Sequence, residues 1–155
     1  MLLRVYILIL LLIFSVTSYS KEIPVIVIAP NKKPQSLSTV GTSVTILDEE
    51  YLDNSTEYFL GDVLSSKTTS ANFFQSGGHG TASAIQLRGM PKRYSTVYID
   101  GVKMSDPSSV SNDFDFNNIL TSQVSRVEIL KGNQSSIYGS GAIGGTIHIT
   151  TKKGK

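Results

Sequence analysis

The sequence contains no cysteine and no tryptophan. Without cysteine there is no disulfide framework, no thiolate nucleophile and no cysteine-ligated metal. An excess of one charge is missing too: 14 Lys and Arg face 12 Asp and Glu, a formal net charge of +2. That near-balance singles out no charged partner, and the chain carries no basic stripe of the kind that holds nucleic acid. Histidine is scarce. His79 and His148 stand far apart, and neither has a second histidine at metal-ligand spacing. Long apolar runs are confined to the N-terminus. There are no internal repeats, no heptads and no low-complexity tail.

What is present begins with "MLLRVYILILLLIFSVTSYS". One cation, Arg4, precedes an apolar run from Val5 to Val16, and Ser18-x-Ser20 gives a small-x-small pattern before Lys21. This is the layout of a secretory signal peptide over residues 1–20, and the run is short for a membrane span. An uncleaved N-terminal anchor is the alternative. The remainder, Lys21 to Lys155, is about 135 residues, the size of a single domain. An exported chain without disulfides fits a bacterial envelope.

In "KEIPVIVIAP", a β-prone run from Val25 to Ala29 lies between Pro24 and Pro30. Flanking prolines keep such a run out of the middle of a sheet. It reads as a detachable extended segment suited to joining another protein's sheet edge, or as an ordinary edge strand. Residues 31–41 have loop composition. Thr42 to Leu47 reads as a strand, and Asp48 can cap a short helix over "EEYLD". Ser55 or Thr56 can cap a second helix reaching Leu64, with Phe59, Leu60, Val63 and Leu64 at helical spacing. "SSKTTSANFFQSGGHGTAS" reads mostly as loop.

Four alternating segments follow: "AIQLRG", "TVYIDG", "SRVEILKG" and "TIHITT". Successive strand side chains point to opposite faces, so each segment has an apolar and a polar side. Neighbouring strands would place Arg88, Asp100, Arg126 and Glu128 on one polar face. Gly89, Gly101 and Gly132 end three of the segments, where sharp reversals need positive φ. "FNNILTSQV" can form a short helix packing Ile119, Leu120 and Val124.

Gly139-x-Gly141-x-x-Gly144 satisfies the dinucleotide-binding pattern. That chemistry needs a helix after the glycines to hold the pyrophosphate, and an acid about twenty residues on. Here an alternating strand follows Gly145 and no acid follows at all. Gly139-Ser140-Gly141 is not a strand-to-helix nucleophile elbow. Asp106, Asp113 and Asp115 lack the spacing of a calcium loop. His79, in "SGGHG", could touch a ligand; His148 belongs to a strand's polar face. No enzyme constellation, cofactor site or metal site emerges.

Taken together, "AIQLRGM", "TVYIDGV" and "VSRVEILKGNQSSIYGSGAIGGTIHITTKKG" resemble the N-terminal plug domain of TonB-dependent outer-membrane receptors. The resemblance runs from about Pro24 to Lys153 and leans toward the cobalamin-receptor branch. It implies an α+β plug-domain fold, a small mixed β-sheet with short flanking helices and long apical loops. By that fold, residues 1–20 are the signal peptide, 21–36 the Ton box segment and linker, and 37–155 the plug. It implies a non-enzymatic gate, lodged in an outer-membrane β-barrel, for energy-coupled uptake of a scarce nutrient such as an iron chelate or cobalamin. The implied TonB-binding residues are Val25, Ile26, Val27, Ile28 and Ala29, captured by the TonB C-terminal domain in the periplasm. The implied substrate-contacting residues on apical loops are Gly77, Gly78, His79, Arg93, Tyr94, Asp106 and Ser108. Arg88, Arg126 and Glu128 match positions that face the barrel wall.

Three places depart from the family pattern. Ile28 stands where a hydroxyl residue is usual, Asn133 where a proline is usual, and Lys67 to Ala71 replace an "LPGV"-like stretch. No barrel sequence follows Lys155, and even the smallest outer-membrane barrel needs eight strands of about ten residues. A truncated product, one part of a split receptor, or an independent periplasmic plug are the expectations. A stand-alone periplasmic module that binds a ligand or a protein is the alternative function.

Overall fold

A computed structural model describes residues 25–29, 33–109, 114–116 and 118–154. The expected signal peptide and Asp113 lie outside the described residues. Among the described residues no helix is long and apolar enough to cross a membrane, which says nothing of a β-barrel.

Among the described residues, nine strands and three short α-helices follow one another. They are β1 (Ile26–Val27), β2 (Gln35–Ser36), β3 (Ser43–Leu47), α1 (Glu49–Asp53), α2 (Leu60–Lys67), β4 (Ala71–Gln75), β5 (Ser83–Leu87), β6 (Ser95–Ile99), β7 (Val102–Met104), β8 (Val124–Lys131), α3 (Ser135–Tyr138) and β9 (Gly145–Thr151). The main sheet has five strands in the order β3-β8-β9-β6-β7. It is mixed: β6 and β9 run parallel, and the other pairs are antiparallel. β4 and β5 form a separate hairpin, and β1 and β2 a minimal one.

Register turns the alternating sequence into rows across the sheet. One row runs Leu47, Val127, Ile149, Ile99 and Val102; a second runs Thr45, Ile129, Ile147, Val97 and Met104. These rows carry the core face. Val127, Ile129, Ile147, Ile149 and Val97 are buried there against Leu60, Val63 and Leu64 of α2, Ile85 and Leu87 of β5, and Phe116. The row between them, Ile46, Glu128, His148, Tyr98 and Lys103, lies on the opposite face.

Local chemistry explains several elements. Asp48 caps α1 by accepting a hydrogen bond from the Tyr51 backbone N–H at 3.0 Å, as its position before two acids predicts. Asp100-Gly101 joins β6 to β7 with φ of 49° and 84°, the doubly left-handed two-residue turn that Asp-Gly favours.

Elsewhere the structure corrects the sequence reading. The second helix starts at Leu60, not after Ser55 or Thr56; Phe59 occupies its cap position without a side-chain hydrogen bond. "ANFFQ", read as loop, is β4, because pairing with β5 stabilises a run whose residues alternate between buried and exposed. Residues 118–124 make no α-helix. A single 3-10 turn, Thr121–Gln123, leads into β8, and Leu120 stays 38% exposed. Arg88 and Asp100 lie in positive-φ turns rather than within strands, so they do not share a sheet face with Arg126 and Glu128.

Candidate functional site

The residues of greatest interest meet on the outer face of the sheet, where the strap of residues 25–29 is docked. From Ile26 to Ala29 the strap alternates as a strand should. Val27 and Ala29 are buried at 0% and 2% exposure, while Ile26 and Ile28 are 53% and 54% exposed. Residues Ile26–Val27 pair antiparallel with Gln35–Ser36, and Leu37 N–H donates to the Val25 carbonyl at 2.8 Å. The strap is therefore an edge strand in this state, and its two solvent-facing isoleucines are available to a partner.

Three side chains from far along the chain hold the strap by its backbone. Arg126 Nη2 donates to the Ile26 carbonyl at 2.6 Å. Glu128 Oε2 accepts from Ile28 N–H at 3.0 Å and from Ala29 N–H at 2.9 Å. The Tyr138 hydroxyl donates to the Ala29 carbonyl. Arg126 Nε also donates to Glu128 Oε1 at 2.9 Å, which fixes the carboxylate's orientation and balances its charge. Glu128 is 5% exposed, so these charge-assisted bonds offset its desolvation. Arg126 and Glu128 belong to β8 two residues apart and thus share a face; Tyr138 ends α3.

Beneath Ile28 and Ala29 lies a cleft of about 250 Å³ lined by Tyr98, Gly101, Tyr138 and His148. The Tyr98 and His148 rings stack 4.8 Å apart and nearly parallel, and Tyr138 meets His148 at 5.0 Å with a 61° tilt. Burial pushes the Tyr138 phenol up to about 12, with Tyr98 and Glu128 adding to the effect. Burial raises Tyr98 as well. A neutral phenol at ordinary pH keeps its proton to donate to Ala29. Tyr98 and Tyr138 were not singled out from sequence. The signal that could have found Tyr98 is its register opposite His148, which no single segment displays.

The expected loop residues divide between two places. Ser95, Gly145, Lys131 and Ser43 mark one end of the sheet. The 91–94 turn enters β6 there, and the chain after Met104 leaves toward it. Arg93 carries its guanidinium 4.8 Å from the Tyr94 ring centre. Asp106 Oδ1 accepts from the Ser108 N–H at 2.8 Å and from its hydroxyl at 2.6 Å. Gly77, Gly78 and His79 lie instead at the tip between β4 and β5, at the far end of β5 from Arg88. His79 stacks on Phe59 at 4.6 Å. Arg88 is exposed near Gly132 and forms no ion pair among the described residues.

The glycine-rich turn 139–145 has a packing explanation. Gly139 closes α3 at φ 85°. At Gly145, φ is 144°, and a Cβ there would stand 2.3 Å from the Leu130 carbonyl oxygen and 2.8 Å from Leu87 Cδ1. Among the described residues no cluster of His, Cys, Asp and Glu could hold a metal ion.

Known proteins share this fold. The family profile for the TonB-dependent receptor plug domain matches residues 36–146. Among solved structures, the chain is similar to a mutant of the ferric enterobactin receptor from Pseudomonas aeruginosa in complex with enterobactin. That match has 25% identity and a TM-score of 0.57, covering 72% of this chain and 18% of the other. The ferric yersiniabactin uptake receptor of Yersinia pestis matches at 28% identity and a TM-score of 0.54, over 72% and 17%. A siderophore receptor of Acinetobacter baumannii matches in fold at 24% identity and a TM-score of 0.57, over 78% and 16%. The chain thus spans less than a fifth of the length of these proteins.

Proposed function

Because the chain belongs to the TonB-dependent receptor plug domain family, we propose that it acts as the plug and gate of an outer-membrane receptor taking up a scarce nutrient. The family is one of transport receptors and not of enzymes. The observation that carries the proposal is the strap. A plug moved by energy from another membrane needs a handle that a periplasmic partner can grasp. Val25 to Ala29 form a short extended segment preceding the matched domain, with Ile26 and Ile28 turned to solvent. Strand addition uses backbone groups for affinity and alternate side chains for specificity. In this reading the TonB C-terminal domain pairs with the strap.

The substrate proposed is a metal chelate or a compound of similar size. Support comes from the ferric-siderophore receptors that the plug resembles. Arg93, Tyr94, Asp106 and Ser108, gathered toward one end of the sheet, are the proposed plug contacts for it. Gly77, Gly78 and His79 join them only if the hairpin tip moves off Phe59. Arg88, exposed and without an ion pair among the described residues, is the proposed contact to a barrel wall.

The test uses a synthetic peptide of residues 21–32 and the purified TonB C-terminal domain in isothermal titration calorimetry. Binding is expected. Ile28→Pro in the peptide, which removes a backbone donor, is expected to weaken it about tenfold or more. A peptide that does not bind at all overturns the transport reading.

A further inference from the structure

We propose that Asp100-Gly101 is a site of spontaneous backbone modification, isoaspartate formation, and that Thr151 guards it. Asp100-Gly101 is the only place in the chain where Asp or Asn precedes Gly. The pair forms the turn from β6 to β7, and both residues are exposed.

The chemistry is a ring closure followed by a ring opening. The Gly101 nitrogen attacks the Asp100 Cγ and a C–N bond forms. The amide proton leaves with the carboxyl hydroxyl as water, which closes a succinimide. Water then reopens the ring. Where it breaks the bond between the Asp100 main-chain carbonyl carbon and the Gly101 nitrogen, the chain runs on through Cβ and Cγ, one carbon longer. One water leaves and one returns, so the step needs no oxidant, cofactor or enzyme.

The nucleophile is unhindered. The Gly101 N–H makes no hydrogen bond among the described residues. Glycine has no side chain to shield its nitrogen, and a Cβ built there would meet nothing within 4 Å. The fold withholds the electrophile instead. One Asp100 oxygen accepts from the Thr151 N–H at 2.9 Å, and the other from the Thr151 hydroxyl at 2.6 Å. Hydrogen bonds to the charged form favour it, so these two hold the carboxyl below its usual value and make the protonated acid scarcer. An ionised carboxylate has no hydroxyl to lose. Ring closure therefore waits until Asp100 leaves Thr151 and takes up a proton. The Asp100 N–H adds a restraint on the backbone, donating to the Ile149 carbonyl at 2.9 Å.

Thr151 lies 51 residues further along, at the end of β9, so the guard exists only in the folded sheet. The product would be felt locally. An extra backbone carbon spoils the two-residue turn that sets Ile99 opposite Val102. β7 pairs with β6 alone, so it is the strand that comes away, while β3, β8 and β9 keep their partners.

The experiment holds the folded full chain at neutral pH for several weeks and follows it by tryptic digestion. Trypsin releases residues 94–103, in which electron-transfer mass spectrometry tells isoaspartate from aspartate. Thr151→Val removes the hydroxyl and keeps the branched shape and the backbone donor. Losing one hydrogen bond to a charged group is expected to speed isoaspartate formation at Asp100 about tenfold. Thr151→Ser, which keeps the hydroxyl, is expected to match the wild type. A synthetic peptide of residues 94–103 gives the unguarded rate, and the wild-type chain is expected to react about tenfold more slowly than it, or slower still.

A folded Thr151→Val chain that reacts no faster than wild type overturns the guard. So does a wild-type chain as fast as the peptide. A peptide that forms no isoaspartate overturns the site. Should Thr151→Val fail to fold, wild type and Thr151→Ser against the peptide decide the question. In the modified chain, amide exchange along β7 is expected to rise about tenfold, with Ile129 and Ile147 unchanged. Unchanged exchange in β7 overturns the local consequence.

Discussion

The carboxylate of Glu128 accepts a hydrogen bond from the Ala29 N–H at 2.9 Å, across 99 residues of sequence. The Ala29 carbonyl is gripped in turn by Tyr138. One strap residue is thus held at both of its polar groups by side chains from two later elements. Glu128→Ala removes the charged acceptor from two N–H groups and leaves the Arg126 guanidinium without its carboxylate. Hydrogen bonds to charged groups contribute roughly 1.5–3 kcal/mol. A loss of that size in urea unfolding is expected, and a loss under about 0.5 kcal/mol would show that this grip contributes nothing to stability.

Tyr138 gives this grip an alkaline limit. Its folded value is pushed up to about 12, above the ordinary 10.0 of the unfolded chain. The phenol is neutral in both states below the unfolded value, so its contribution is fully present there. As pH rises past that value the unfolded chain loses its proton first, and stability falls until the folded phenol also ionises. The unfolding midpoint is expected to drop more steeply above pH 10 in the wild type than in Tyr138→Phe. Parallel curves would refute the assignment.

Asp100 sets a limit at the acid end. Its carboxylate accepts from the Thr151 hydroxyl at 2.6 Å and from the Thr151 N–H at 2.9 Å, and these bonds hold it below the usual carboxylate value. A depressed group contributes stability above its unfolded value, and that contribution is lost as pH falls through the lower folded value. Asp100→Asn keeps a residue tolerant of φ near 49° and removes the charge. A loss of roughly 0.5–1.5 kcal/mol at neutral pH is expected. The variant should also lose less stability than wild type between pH 4 and pH 2, measured by thermal melts. An equally steep acid limb would place the titrating group elsewhere.

Glycines of similar appearance in the sequence should behave very differently. Gly145→Ala places a methyl group against the Leu130 carbonyl in a backbone conformation alanine rarely adopts. Strain and overpacking together predict a loss of about 3 kcal/mol or more. Gly78→Ala meets nothing within 4 Å and needs no unusual φ. A change within about 0.5 kcal/mol is expected there. Comparable losses at the two sites would contradict the packing account of the glycine-rich turn.

The sheet was legible where a strand buries one face. "TVYIDG", "SRVEILKG" and "TIHITT" show that periodicity without help from their neighbours. The α1 cap was legible because Asp48 acts within its own turn. β4 was not, since "ANFFQ" is a strand only through its pairing with β5. The start of α2 was misplaced because Phe59 bridges to Leu120, a contact across the fold that competes with any serine cap. In the candidate site, the strap and both β8 charges could be picked out singly. Their meeting could not, because it depends on register that places Glu128 beside His148 and brings α3 alongside. Sequence spacing holds no record of a contact made across about a hundred residues.

The strand order carries a consequence for how the domain comes into being. β9 lies between β8 and β6, near the middle of the main sheet, yet it is the last of the sheet's strands along the chain. A ribosome or export channel delivers the chain from its N-terminus. It therefore releases β3, β6 and β7 before the strand that joins them exists. Until residues 145–151 emerge, β6 has an open edge and the apolar row of Val97 and Ile99 has no neighbour on that side. Assembly of the sheet is then expected to await that strand, with the open edge of β6 lasting while residues 100–144 are made. A chaperone that shields unpaired edges would have its longest task in this domain before that final strand arrives.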